Sequence, residues 1–171
     1  MSENIIRVII DSSGSMNEWG KSDCIVNLVS TTRFYTKDEK FKDFKVEYYL
    51  YKKKEIVNIT SFKEITKFKP EGDLDINLLF DFINNLEESS TKNKILFLSD
   101  GNFLPEGTPE GNVEKLKRKV SKINLNKNII LPISIGCDSN LQYLKAINTT
   151  MQKVYLSESI IQAINDICFM G

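Results

Sequence analysis

An apolar run that ends abruptly in a carboxylate constrains this chain more than any other feature. Ile5-Ile6-Arg7-Val8-Ile9-Ile10 leads directly into Asp11-Ser12-Ser13-Gly14-Ser15-Met16. The run reads as a buried strand. The polar stretch reads as a tight loop at its carboxyl end, where open α/β sheets bind their ligands. Asp11, Ser13 and Ser15 offer hard oxygen atoms, which suit Mg²⁺ or Mn²⁺ better than zinc or copper. The same residue types also favour plain polar turns and helix caps. A second stretch repeats the pattern: Lys94-Ile95-Leu96-Phe97-Leu98-Ser99 runs into Asp100-Gly101. If the two strands pair in parallel, Asp11 and Asp100 share one rim.

The remainder alternates strand and helix. The spacing of Cys24, Ile25, Leu28, Val29 and Thr32 predicts a helix over Lys21 to Tyr35. Trp19 and Gly20 fall in the loop before it, with Trp19 as a lid or packing residue. Strands are expected at Lys45–Tyr51 and Glu55–Ile59. Only Lys52-Lys53-Lys54 separates them, so they form an antiparallel hairpin with a solvated tip. Phe62, Ile65 and Phe68 suggest a short helical turn. After a Pro70–Asp73 loop, Asp73 or Asp75 starts a helix through Leu86, its apolar stripe formed by Ile76, Leu79, Phe80, Ile83 and Leu86. A polar connection over Glu87–Asn93 precedes the strand Ile95–Leu98. Asn102–Gly111 is a Pro/Gly-rich loop, long enough to suggest a functional rim. Further elements are a basic amphipathic helix at Val113–Ile123, strand Ile129–Ile135, helix Leu141–Ile147, strand Val154–Leu156, and a last helix capped by Ser157 and running to Phe169. This alternation predicts one α/β domain over residues 1–171. Its sheet is doubly wound and mostly parallel, six-stranded with one antiparallel edge strand, and has helices on both faces.

Composition narrows the function. Lys plus Arg and Asp plus Glu each number 23 among 171 residues, which argues against a general nucleic-acid binder. No apolar run approaches the roughly 20 residues of a membrane-spanning helix. The start Met1-Ser2-Glu3-Asn4 lacks the basic residues of a signal peptide, so the expected location is cytoplasmic. The chain has no histidine, which excludes Ser-His-Asp and Cys-His catalysis. Cys24, Cys137 and Cys168 lie far apart and read as small buried apolar side chains.

Together these motifs resemble the von Willebrand factor type A family, over essentially the whole chain. The family's metal-ion-dependent adhesion site opens with D-x-S-x-S, matched by Asp11, Ser13 and Ser15. Its late acidic ligand follows the fourth strand, matched by Asp100-Gly101. The middle motif, P-x-G-G-T-D-L in the family, corresponds to Pro70-Glu71-Gly72-Asp73-Leu74-Asp75-Ile76. Leu74 stands where the family has a threonine ligand; Asp73 or Asp75 could supply an oxygen instead, although Asp75 also reads as a helix N-cap. The resemblance implies a non-enzymatic protein-binding module in which Mg²⁺ (or Mn²⁺ or Ca²⁺) is held by Asp11, Ser13, Ser15, Asp100 and Asp73. A partner protein's Asp or Glu carboxylate would complete the ion, and a second copy of the chain could offer that carboxylate. The loops around Trp19, Asp73 and Phe103 would shape specificity, and the last helix moves in some members. Small stand-alone bacterial members of the tellurite-resistance-associated type act as scaffolds. Two alternatives remain open: a metal-independent interaction domain with a degenerate site, and a Mg²⁺-dependent phosphoryl-transfer enzyme using Asp11 and Asp100.

Overall fold

The computed structural model describes residues 4–52, 54–86, 92–103 and 107–170. Three expected connections lie partly outside them: Lys53 of the hairpin tip, residues 87–91 before the fourth strand, and residues 104–106 of the loop after it.

Among the described residues six strands form one sheet: β1 (Asn4–Asp11), β2 (Phe44–Lys52), β3 (Glu55–Ile59), β4 (Asn93–Ser99), β5 (Asn128–Ser134) and β6 (Tyr155–Leu156). Their order is β3-β2-β1-β4-β5-β6. Every neighbouring pair is parallel except β2 and β3, the expected hairpin. The central strands are buried on both faces, which is why they read as continuous apolar runs. Ile6, Val8 and Ile10 of β1 point into one core, Ile9 into the other.

Helices cover both faces. On the first lie α1 (Lys21–Tyr35) and α6 (Ile160–Phe169), packed through Ile25, Leu28 and Val29 and through Ile160, Ile164 and Ile167. On the second lie α3 (Ile76–Asn84), α4 (Pro109–Val120) and α5 (Leu141–Ile147), with Leu79, Ile83, Leu116, Leu144 and Ile147 turned inward. The short α2 (Phe62–Thr66) is set by a capping box: Ser61 accepts from the Lys63 amide, and the Glu64 carboxylate accepts from that of Ser61.

Local signals placed most of these elements, with some corrections. Asp75 caps α3 as expected, its carboxylate accepting from the Asn77 amide at 3.0 Å. α4 starts at Pro109 rather than Val113. Thr108 caps it by accepting from the Gly111 amide, and proline at the first position suits a helix start. Ser157 does not cap the last helix: it opens a 3₁₀ turn, and α6 begins at Ile160. Phe103 is no rim residue; it is buried against Phe97 and Tyr143. Only Cys168 of the three cysteines is buried, while Cys24 is half-buried and Cys137 exposed.

The strand order reverses at β1. The chain runs outward through β2 and β3, then returns to place β4 on the other side. Such a switch point is where sheets of this kind bind ligands, and Asp11 and Asp100 lie at it, at the carboxyl ends of β1 and β4.

Candidate functional site

The parallel register pairs Ile10 with Leu98, so Asp11 stands beside Ser99 and Asp100 follows one residue beyond the end of β4. Asp11 is fully buried. One of its oxygens accepts from the Ser13 amide at 2.8 Å and the other from the Ser99 hydroxyl at 2.6 Å. Burial pushes its pKa up to about 6 against the pull of these hydrogen bonds, and the nearby charge of Asp100 adds to the rise. Ser13 and Ser15 follow on the loop, their hydroxyl oxygens 3.3 Å apart. The structure therefore gathers Asp11, Ser13, Ser15 and Asp100 at one end of the sheet.

The middle motif docks on this loop through its backbone. The Gly14 amide donates to the Gly72 carbonyl at 2.7 Å, and the Glu71 amide to the Ser12 carbonyl at 2.9 Å. Asp73 sits exposed on that segment, and no bond ties it to the other four residues. Leu74 is 5 % exposed and packs into the core shared by α3, α4 and α5. The loop thus turns an apolar side chain inward at the threonine position.

Lys21, which no sequence motif marks, belongs to the site as well. It is the first residue of α1, is 1 % exposed, and lays its ammonium in the middle of the site. The ammonium donates to Asp100 Oδ2 at 2.8 Å, to Asp138 Oδ2 at 2.8 Å and to the Ser15 carbonyl at 3.2 Å. All three protons are used. Burial alone would lower its pKa, but the hydrogen bonds and charges of Asp100 and Asp138 outweigh that and raise it. Asp100 shows the complement: burial acts upward, and the Lys21, Asn102 amide and Ser15 hydrogen bonds hold it below the usual carboxylate value. One signal could have flagged Lys21. A cation in the first turn of a helix opposes the helix dipole, so a lysine there calls for carboxylates from elsewhere in the chain.

Gly136, between β5 and α5, makes the room. It holds φ +87°, and a Cβ there would lie 2.6 Å from Lys21 Cε and 2.9 Å from an Asp138 oxygen. Trp19 is the other unusual residue. It adopts φ +53° without being glycine and is 80 % exposed, so it is neither a packing residue nor closed over the site.

The donor set does not fit a divalent ion as it stands. Both Asp11 oxygens are engaged within the protein, Asp100 is paired with an ammonium, and Leu74 offers no oxygen. Among the described residues no three acidic, cysteine or histidine side chains converge as a metal cage.

No family model and no curated protein matches the sequence. Solved structures do match. A von Willebrand factor type A protein from Catenulispora acidiphila superposes with a TM-score of 0.66 at 14% identity, covering 97% of this chain and 42% of that one. This chain has the von Willebrand factor A fold. Manganese-loaded TRAP of Plasmodium vivax gives 0.66 at 13% identity, covering 97% of this chain and 73% of that chain. The pilus adhesin SpaC of Lactobacillus rhamnosus GG gives 0.64 at 11% identity, over 97% and 29%. The chain thus spans less than half of the first and of SpaC. No helix among the described residues is long and apolar enough to cross a membrane.

Proposed function

We propose that this chain is a non-enzymatic protein-interaction module that meets its partner with the rim at the carboxyl ends of β1 and β4. The observation that carries this reading is Trp19. An aromatic ring 80 % exposed, two residues before Lys21 and on a backbone at φ +53°, carries a conformational cost of order 1–3 kcal/mol. Tryptophan is also enriched among the residues that dominate protein interfaces. The adhesin function named for SpaC, on the same fold, is in keeping with it. The polar groups of the site argue against the phosphoryl-transfer alternative. Asp11 has no exposed oxygen, and the Lys21 protons are all committed.

Two ways of holding the partner differ in the cation. In one, Mg²⁺, Mn²⁺ or Ca²⁺ joins Asp11, Ser13, Ser15 and Asp100 to a partner carboxylate; the manganese in TRAP on the same fold is its support. In the other, contact is made without a metal. The ammonium between Asp100 and Asp138 favours the second.

The test is selection of peptides from a random display library on the immobilised protein, followed by titration of the enriched peptides. Expected are peptides that bind in the presence of chelator and weaken on Trp19→Ala by at least about tenfold. Peptides that bind Trp19→Ala equally well would move the interface elsewhere. Hydrolysis of a phosphate ester that depends on Asp11 would replace the reading with an enzymatic one.

A further inference from the structure

We propose that Lys21 is the resident cation of this site, an ammonium built into the chain in place of a divalent ion, and that a neutral residue at position 21 would create a divalent-ion site. This concerns the charge of the site and holds whether or not the rim binds a peptide.

Three independent features favour one outcome. First, the ammonium is held as an ion would be, by oxygens from three separate segments. Asp100 after β4, Asp138 after β5 and the Ser15 carbonyl after β1 lie at 2.8, 2.8 and 3.2 Å. Second, the surrounding backbone is shaped to admit it. Gly136 leaves bare the space that the lysine stem crosses, at a φ that side chains rarely adopt. Third, the segment that docks on Gly14 brings no side-chain oxygen to the site, because Leu74 is buried in the core and Asp73 is exposed.

The consequence is electrostatic. A divalent ion close to the Asp100 carboxylate would sit within a few ångströms of the ammonium. At an effective dielectric of about 20, that repulsion weakens binding on the order of a hundredfold or more. Removing the ammonium reverses the sign. Two carboxylates and a carbonyl already converge on the Nζ position, and hard oxygens of this kind suit Mn²⁺ or Ca²⁺ after a contraction of a few tenths of an ångström. Asp138 would then become a ligand, a role the sequence motifs do not give it.

The experiment uses Mn²⁺ as probe, followed by its paramagnetic resonance signal and by thermal unfolding, on the wild type, Lys21→Met, and Lys21→Met with Asp138→Asn. The wild type is expected to show no saturable site and the same Tm in chelator and in millimolar Mn²⁺. Lys21→Met is expected to melt lower in chelator, to regain stability as Mn²⁺ is added, and to bind one ion at least about a hundredfold more tightly than the wild type. Adding Asp138→Asn should remove most of that gain. Saturable Mn²⁺ binding by the wild type, or a Lys21→Met protein that is indifferent to Mn²⁺, would overturn the proposal. Should Lys21→Met fail to fold in chelator, refolding in Mn²⁺ is expected to recover it. A failure there, with Lys21→Met/Asp100→Asn folding normally, would equally overturn it.

Discussion

Replacing Asp11 by asparagine should stabilise the protein, and more so as the pH rises. The Asp11 carboxyl is buried at the end of β1, and its pKa stands at about 6 against an ordinary 3.8. The folded protein therefore holds this proton more tightly than the unfolded chain does. The group's stabilising contribution is complete below pH 3.8 and is lost as the pH passes 6. At about 1.4 kcal/mol per pKa unit, the ionised carboxylate costs the native state about 3 kcal/mol at pH 8 and about half of that at pH 5. Asparagine keeps an oxygen for the Ser13 amide. Its amide nitrogen forces the Ser99 hydroxyl, which donates to Asp11 at 2.6 Å, to turn from donor to acceptor, at a cost of about 1 kcal/mol. The net gain for Asp11→Asn is then about 2 kcal/mol at pH 8, falling towards zero near pH 5. Urea unfolding of both proteins at the two pH values, in chelator, measures it directly. A variant less stable than the wild type at pH 8, or a difference that does not change with pH, would refute the reasoning. It would mean that the charge on Asp11 is balanced in the folded state by something other than the groups described.

Gly136→Ala should destabilise by about 2–4 kcal/mol, since it adds a Cβ at φ +87° and drives it against the Lys21 stem; thermal unfolding would detect this as a lowered Tm. Leu74→Thr restores the family's threonine, but should cost about 2–4 kcal/mol by placing a hydroxyl in an apolar core. Calorimetric titration with Mn²⁺ should show no new site while Lys21 remains. Trp19→Gly should leave stability unchanged or raise it by up to about 1 kcal/mol, because glycine takes φ +53° without strain. Denaturant midpoints would test it, and a clear loss would show that the ring packs in solution.

The parts legible in the sequence were those with a local signal. β1 and β4 announce themselves because a strand buried on both faces is an unbroken apolar run, and a carboxylate ends each run sharply. Helical spacing alone predicts α1 close to its observed bounds, Lys21–Tyr35. The apolar spacing misses the first turn of α4 because Glu110, Gly111 and Asn112 look like loop, and only the Thr108–Pro109 cap marks the true beginning. Lys21 stayed hidden for a different reason. Its partners Asp100 and Asp138 lie 79 and 117 residues away, so no periodicity or spacing connects them. Gly136 is legible only once the lysine stem that crosses it is known. The Asp11, Ser13, Ser15 and Asp100 cluster could be inferred; the charge that fills it required the fold.

The sheet also governs how this chain can be built into anything larger. Its two edges are poor templates for another strand. β6 contributes only two residues. β3 is five residues long and meets α2 and α3, with exposed Lys52, Lys54 and Glu55 at its hairpin end. Short, charged edges discourage backbone-to-backbone growth between copies. A filament or multi-protein array that includes this chain is therefore expected to be joined through side chains on its loops and helices, so that each joint stays individually exchangeable rather than fused into a continuous sheet.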